Sequence, residues 1–198
     1  MLRRPFLIVT AVLAAAFAAP ALAANPQVEF DTTAGKIRVE LFPDAAPKTV
    51  ANFLDYVKAK HYDGTQFHRV ISGFMIQGGG FTPDFKQKPT KPPVAIESEA
   101  SSKAGLMNVP GTLAMARTGD PNSATAQFFI NVADNQSLNF RSADAQGYGY
   151  TVFGKVVNGM EVVDRIAKAP TGSGGPFPKD VPVEKVIINK AVVVDAAK

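Results

Sequence analysis

The chain holds two histidines, His61 and His68, and no cysteine. A thiol nucleophile, a thiolate metal site and a disulfide framework are therefore excluded. A serine hydrolase would have to set His68 beside a serine such as Ser72 and a buried acid, and the sequence offers no nucleophile elbow to do so. Two histidines without a helical H-x-x-x-H spacing do not make a metal site. Gly78-Gly79-Gly80 is followed by Phe81, with neither Lys-Ser/Thr nor a helix start, so it reads as a strand end and bend rather than a phosphate loop. What stands out is the run Phe67–Gly79. In Phe67-His68-Arg69-Val70-Ile71, alternation predicts Phe67, Arg69 and Ile71 on one face. In the strand that follows, Met75 and Gln77 share a face. In Gln127-Phe128-Phe129-Ile130-Asn131, Phe128 and Ile130 share one face and Phe129 joins Gln127 and Asn131 on the other. An aromatic ring beside an arginine and glutamines fits a pocket on a strand surface. It also fits an ordinary solvated face, where Phe and Arg are common.

These residues need a sheet to hold them. Val28–Thr32 and Lys36–Phe42 alternate apolar and polar residues around Thr33-Ala34-Gly35, which predicts a hairpin. From Pro47 the period changes: Val50, Phe53, Leu54 and Val57 form the stripe of an amphipathic helix, with Pro47 in its first turn. Further strands are predicted at Thr65–Ile71, Phe74–Gly78, Gly111–Ala116, Gln127–Val132, Thr151–Val157 and Lys185–Val194. A second helix is predicted at Gly159–Lys168, with Met160, Val163 and Ala167 as its seam. Thr82–Pro93 and Asp134–Gly149 read as long loops. Many strands with only two helices predict a mainly β protein, closed or sandwiched.

The segment Phe67–Gly79 resembles the signature of cyclophilins, the prolyl cis–trans isomerases. Gly111–Ile130 resembles their second signature, with Gly147–Val157 behind it, and the similarity runs from about Val28 to Val194. The loop Gly119–Ala126 and the stretch Asn131–Phe140 look like the bacterial branch. The resemblance implies a closed eight-stranded antiparallel barrel capped by two helices, with the active site on its outer wall. It implies that Arg69 is the catalytic arginine and that Gln77 orients it and binds substrate backbone. Phe74, Met75, Phe129 and Leu138 match the proline pocket, while Ala116 and Gln127 match the groove. Tyr150 stands where many members have His, Arg117 where many have Asn, and Ser137 where animal members have Trp. The implied partners are unfolded or Pro-containing polypeptides, met by a monomer that uses no cofactor. Two functions stay open: a folding catalyst, and a module that holds Pro-containing segments without turnover.

Met1–Ala24 starts with Arg3 and Arg4, runs apolar from Phe6 to Ala19 and ends in Pro20-Ala21-Leu22-Ala23. This is the layout of a secretory signal peptide with cleavage after Ala23 or Ala24. An uncleaved anchor is the rival, because Pro5–Ala24 is nearly long enough to span a bilayer; the Ala-rich composition and Pro20 favour cleavage. Arg3-Arg4 also faintly resembles a twin-arginine signal, although the very short n-region favours the general secretory route. Residues 25–198 then form one domain of about 175 residues. Residues 1–24 carry two arginines and no acid, so the remainder has 19 basic against 17 acidic side chains. A surplus of two is no nucleic-acid footprint. Lys86, Lys88 and Lys91 lie in the Pro-rich loop and read as a solvated tip. The expected setting is periplasmic, or secreted where no outer membrane exists, without stable membrane association after cleavage.

Overall fold

Two alternating runs open the fold, and each buries every second residue. In the computed structural model, which describes residues 24–194, β1 (Gln27–Thr32) and β2 (Gly35–Leu41) pair across Thr33-Ala34. Val28, Phe30, Ile37, Val39 and Leu41 point inward and are fully buried. The wall is completed by β3 (Thr65–Ile71), β4 (Met75–Gly78), β5 (Thr112–Met115), β6 (Phe128–Asn131), β7 (Val152–Asn158) and β10 (Ile187–Val194). These eight strands close in the order β1-β10-β3-β4-β6-β5-β7-β2, and every pairing is antiparallel.

Helix α1 (Pro47–Lys58) lays Val50, Phe53, Tyr56 and Val57 on the barrel core. Helix α3 (Met160–Ala167) adds Val162, Val163, Ile166 and Ala167. Inside, Phe30 stacks on Phe128 at 5.3 Å, and Phe53, Tyr62 and Phe67 meet Phe128 edge-on. Such edge-to-face packing suits the ring quadrupole, and the one hydroxyl among these rings, on Tyr62, donates to the Ala126 carbonyl (2.9 Å).

Two expectations need correction. The barrel was expected to carry two helices, and there is a third, α2 (Ser98–Lys103). It has no apolar stripe to betray it, since only Ser98 and Ser101 are buried. Just before it, the Glu97 carboxylate accepts hydrogen bonds from the backbone N–H of Lys48 (3.1 Å) and Thr49 (2.8 Å) and from the Thr49 hydroxyl (2.8 Å). Helix α1 has no side-chain cap of its own, so a carboxylate 48 residues away satisfies its first-turn donors and complements its dipole. The second omission is a hairpin, β8 (Thr171–Gly174) and β9 (Phe177–Pro182), lying outside the barrel against β3. Its Gly and Pro content gives no alternation to read.

Candidate active site

The site is built on a row of residues that the ladder sets side by side. Arg69 pairs with Gln77, Gln77 with Phe129, Phe129 with Ala114 and Ala114 with Val152, a line across β3, β4, β6, β5 and β7. Neighbouring strands lie about 4.8 Å apart, so the row brings chemistry from distant parts of the chain onto one patch of wall. Phe128 and Ile130 face the core, while Phe129 faces the other way, as their alternation predicts. Met75 and Gln77 share the outer face, and Ile76 between them is in the core.

Alternation fails on β3, and the site depends on that failure. Phe67, Arg69 and Ile71 were expected on a single face. The ladder instead slips at His68: Phe67 pairs with Gly78, and Arg69 with Gln77. His68 is the extra residue of a bulge. Phe67 therefore enters the barrel core, while Arg69 and Ile71 stay outside. A bulge adds one residue to the strand, bends it locally and re-aims the side chains that follow.

Around this row lies a pocket of about 190 Å³ lined by Arg69, Phe74, Met75, Gln77, Ala116, Phe129, Leu138 and Tyr150, with Arg117 at its rim. That is below the roughly 300–1,000 Å³ of sites that enclose whole small molecules, and it suits a single ring-sized side chain. Its floor is a second apolar cluster, separate from the core, made of Met75, Ala114, Phe129 and Val152 with Phe74, Leu138 and Tyr150 packed on it. The face expected to be polar is thus polar only at its edge. There, Arg69 Nη1 donates to Gln77 Oε1 (3.3 Å), and Gln77 Nε2 donates to Gln127 Oε1 (3.0 Å). Gln127 lies outside this pocket and lines the adjoining one. Ser137, in a short 3-10 turn at Gln136–Leu138, is exposed and does not line the pocket.

Three supports lie behind these side chains. Gly80 is the first: a Cβ there would stand 2.6 Å from Cγ and Cδ of Gln127. The third glycine of the run leaves the space in which the Gln127 amide lies and from which it holds Gln77. The second is an asparagine network. Asn135 Nδ2 donates to the Phe74 carbonyl (2.8 Å) and to Asn131 Oδ1 (2.7 Å), and Asn131 Nδ2 donates to Asn108 Oδ1 (3.1 Å). Asn108 Nδ2 in turn donates to the Leu138 carbonyl (3.0 Å). Two walls of the pocket are tied together by buried amides, a cost worth bearing only when every partner is satisfied. Sequence reading missed Asn108 and Asn135, because Asn in a loop signals only a turn.

His68 is the third support. It is 2% exposed, with its ring edge-on to Phe81 at 4.7 Å and against Phe177 of β9 at 5.4 Å. Its Nδ1 has no hydrogen-bond partner among the described residues. Burial pushes the imidazole down to about 4; the Arg69 charge adds to this, and the hydrogen bond with the Gln66 backbone opposes it. The unfolded chain, with His near 6.5, therefore binds more protons between pH 6.5 and 4. The contribution of His68 is complete above pH 6.5 and is lost as pH falls through that window. By pH 4.5 the loss should amount to about 2–3 kcal/mol. Urea unfolding at pH 7 and pH 4.5 measures it: His68→Phe should show a smaller pH-dependent loss than the wild type, and equal losses would refute the assignment.

Residues 27–193 match the family model described as cyclophilin type peptidyl-prolyl cis-trans isomerase/CLD. The chain belongs to that family. Peptidyl-prolyl cis-trans isomerase B of Escherichia coli is 57% identical over 166 residues, 84% of this chain and 98% of that protein. Peptidyl-prolyl cis-trans isomerase A of Dickeya dadantii is 47% identical over 196 residues, 98% of this chain and 99% of its own. A crystal structure of a Cryptosporidium parvum cyclophilin type peptidyl-prolyl cis-trans isomerase, determined in the presence of the dipeptide Ala-Pro, superimposes with a TM-score of 0.70 at 28% identity. It covers 86% of this chain and 99% of that one. The cyclophilin-type chain described above is thus a peptidyl-prolyl cis–trans isomerase, acting on Pro-containing peptides.

Proposed function

We propose that the pocket over Phe129 receives the proline ring and that Arg69 catalyses the rotation. An X–Pro amide resists rotation by roughly 18–20 kcal/mol because resonance must be broken. In the twisted state the prolyl nitrogen becomes pyramidal and regains a lone pair. A donor at that nitrogen then gains a hydrogen bond that the planar amide hardly offers, which stabilises the transition state over the ground state. Arg69 stands at the edge of the pocket over Phe129, with its guanidinium oriented by Gln77. That observation carries the assignment. Arginine suits the task because it stays charged and presents fixed donors. Phe74, Met75, Phe129 and Leu138 hold the ring, Ala116 and Tyr150 close the walls, and Gln77 and Gln127 contact substrate backbone. A holding module without turnover would need no donor placed this way. Isomerisation of a small proline peptide by the purified protein separates the two, and binding without acceleration would leave only the module.

The clients are chains folding outside the cytoplasm, met by a monomer whose closed wall has no free strand edge. The reading rests on Met1–Ala24, whose expected signal peptide, apart from Ala24, falls outside the described residues. Intact-mass measurement of the protein from its own host should give a chain beginning at Ala24 or Asn25 in the soluble periplasmic or secreted fraction. Retention of residues 1–23 in membranes would establish the anchor instead.

A further inference from the structure

The proline-sized pocket does not end at Ala116. A second pocket, of about 310 Å³, opens on the other side of Gln77, Ala116 and Arg117, and these three residues line both. The rest of its wall is uncharged and able to hydrogen-bond, with Gln87, Thr90 and Thr125 among its side chains. No carboxylate lines either pocket, and the two charges that do, Arg69 and Arg117, are both cationic.

Arg117 is held in place rather than left to solvent. Its Nε donates to the Gly149 carbonyl (2.9 Å) and its Nη1 to the Thr118 carbonyl (2.9 Å). Its guanidinium carbon lies 4.7 Å from the centre of the Tyr150 ring, which itself meets Phe129 edge-on at 5.6 Å. Carbonyls and an aromatic face fix the group without neutralising it. Among the described residues no carboxylate pairs with it, and its Nη2 donates to no protein group. The nearest acid in sequence, Asp120, is turned into its own loop, where Oδ1 accepts from the Asn122 N–H at 2.9 Å. A fixed guanidinium loses little freedom on binding a carboxylate and offers it a charge-assisted hydrogen bond.

Resting on the reading that the proline ring fills the first pocket, we propose that Arg117 determines specificity. It selects substrates with an aspartate or glutamate one or two residues from the proline, whose side chain enters the second pocket. The plain alternative is that Arg117 only ties the Thr118 and Gly149 carbonyls together. In that case it would affect all peptides alike.

The two readings separate on a peptide series. Glu, Gln and Lys are placed singly at each of the two positions before and after proline in an otherwise alanine peptide. Isomerisation is followed by NMR exchange. At one of these positions Glu should exceed Gln by about three- to tenfold in kcat/KM at low ionic strength, and Lys should fall below Gln. High salt should narrow the gap. Arg117→Gln should bring the Glu-to-Gln ratio to one whatever happens to the absolute rates, and Arg117→Lys should keep part of it. Equal rates for Glu and Gln at every position in the wild type would overturn the inference, as would a ratio that survives Arg117→Gln. Should Arg117→Gln fail to fold, Arg117→Lys decides: a Glu-to-Gln ratio equal to that of the wild type would overturn the inference. If no peptide turns over at all, the reading of the first pocket falls, and this inference falls with it.

Discussion

Replacing Arg69 with alanine should lower kcat/KM for prolyl isomerisation by roughly 10²–10³-fold, the usual consequence of losing one transition-state donor. The melting temperature should hardly move, because the side chain sits on the outer wall and the core packs without it. The loss should fall on kcat as much as on kcat/KM, since the donor bonds a nitrogen that can accept only when the amide is twisted. Arg69→Lys tests the geometry separately from the charge. Lysine keeps the cation but not the planar fork that Gln77 orients, so its activity should stay nearer to alanine than to wild type. Peptide isomerisation rates beside thermal melts of all three proteins supply the measurement. Near-wild-type turnover by a well-folded Arg69→Ala protein would sink the mechanism.

Phe128 and Phe129, adjacent in sequence, should fail in different ways. Phe128 is fully buried among Phe30, Phe53, Tyr62 and Phe67, so Phe128→Ala leaves a ring-sized hole at the centre of the barrel. The expected cost is about 3–5 kcal/mol. For a domain of this size that corresponds to roughly 6–20 °C in Tm. Phe129 is also buried, at 4% exposure, but it lies in the outer cluster under an open pocket. Phe129→Ala should destabilise less, because solvent or a neighbouring side chain can reach the gap. It should raise KM by removing the surface on which the proline ring rests. Melting curves beside kinetics separate the two, and equal destabilisation with equal loss of activity would contradict the division of the wall into a core side and a site side.

That division was only partly legible in the sequence. Strands β1 and β2 could be read because Val28, Phe30, Ile37, Val39 and Leu41 keep a period of two, and helix α1 because Val50, Phe53 and Val57 keep its own. The residues of the site could be named from the resemblance, and the structure brings them to one patch of wall. Its local geometry could not be read. A bulge at His68 costs one residue of phase, and nothing in Phe67-His68-Arg69 announces it, because Phe and Arg two apart look alike to any periodicity. The Glu97 cap on α1, the room that Gly80 leaves for Gln127 and the aromatic bracket around His68 are contacts between segments far apart in sequence, and composition carries no trace of them. Phe129 seemed an aromatic on a polar face because Gln127 and Asn131 flank it. That face is apolar where Met75, Ala114 and Val152 arrive from other strands.

The strand that opens the barrel and the strand that closes it are neighbours: Gln27 pairs with Val194, 167 positions later. At a synthesis rate of about 5–20 residues per second, β10 is made roughly 8–30 s after β1. The ring cannot close before β10 has been made, however early its hairpins form. Until the last strand arrives, β1 is paired only with β2, and its other edge stays open to any passing strand. The same interval leaves the chain threadable. A machine that passes unfolded polypeptide has that interval in which to engage it, and the finished ring offers no such opening.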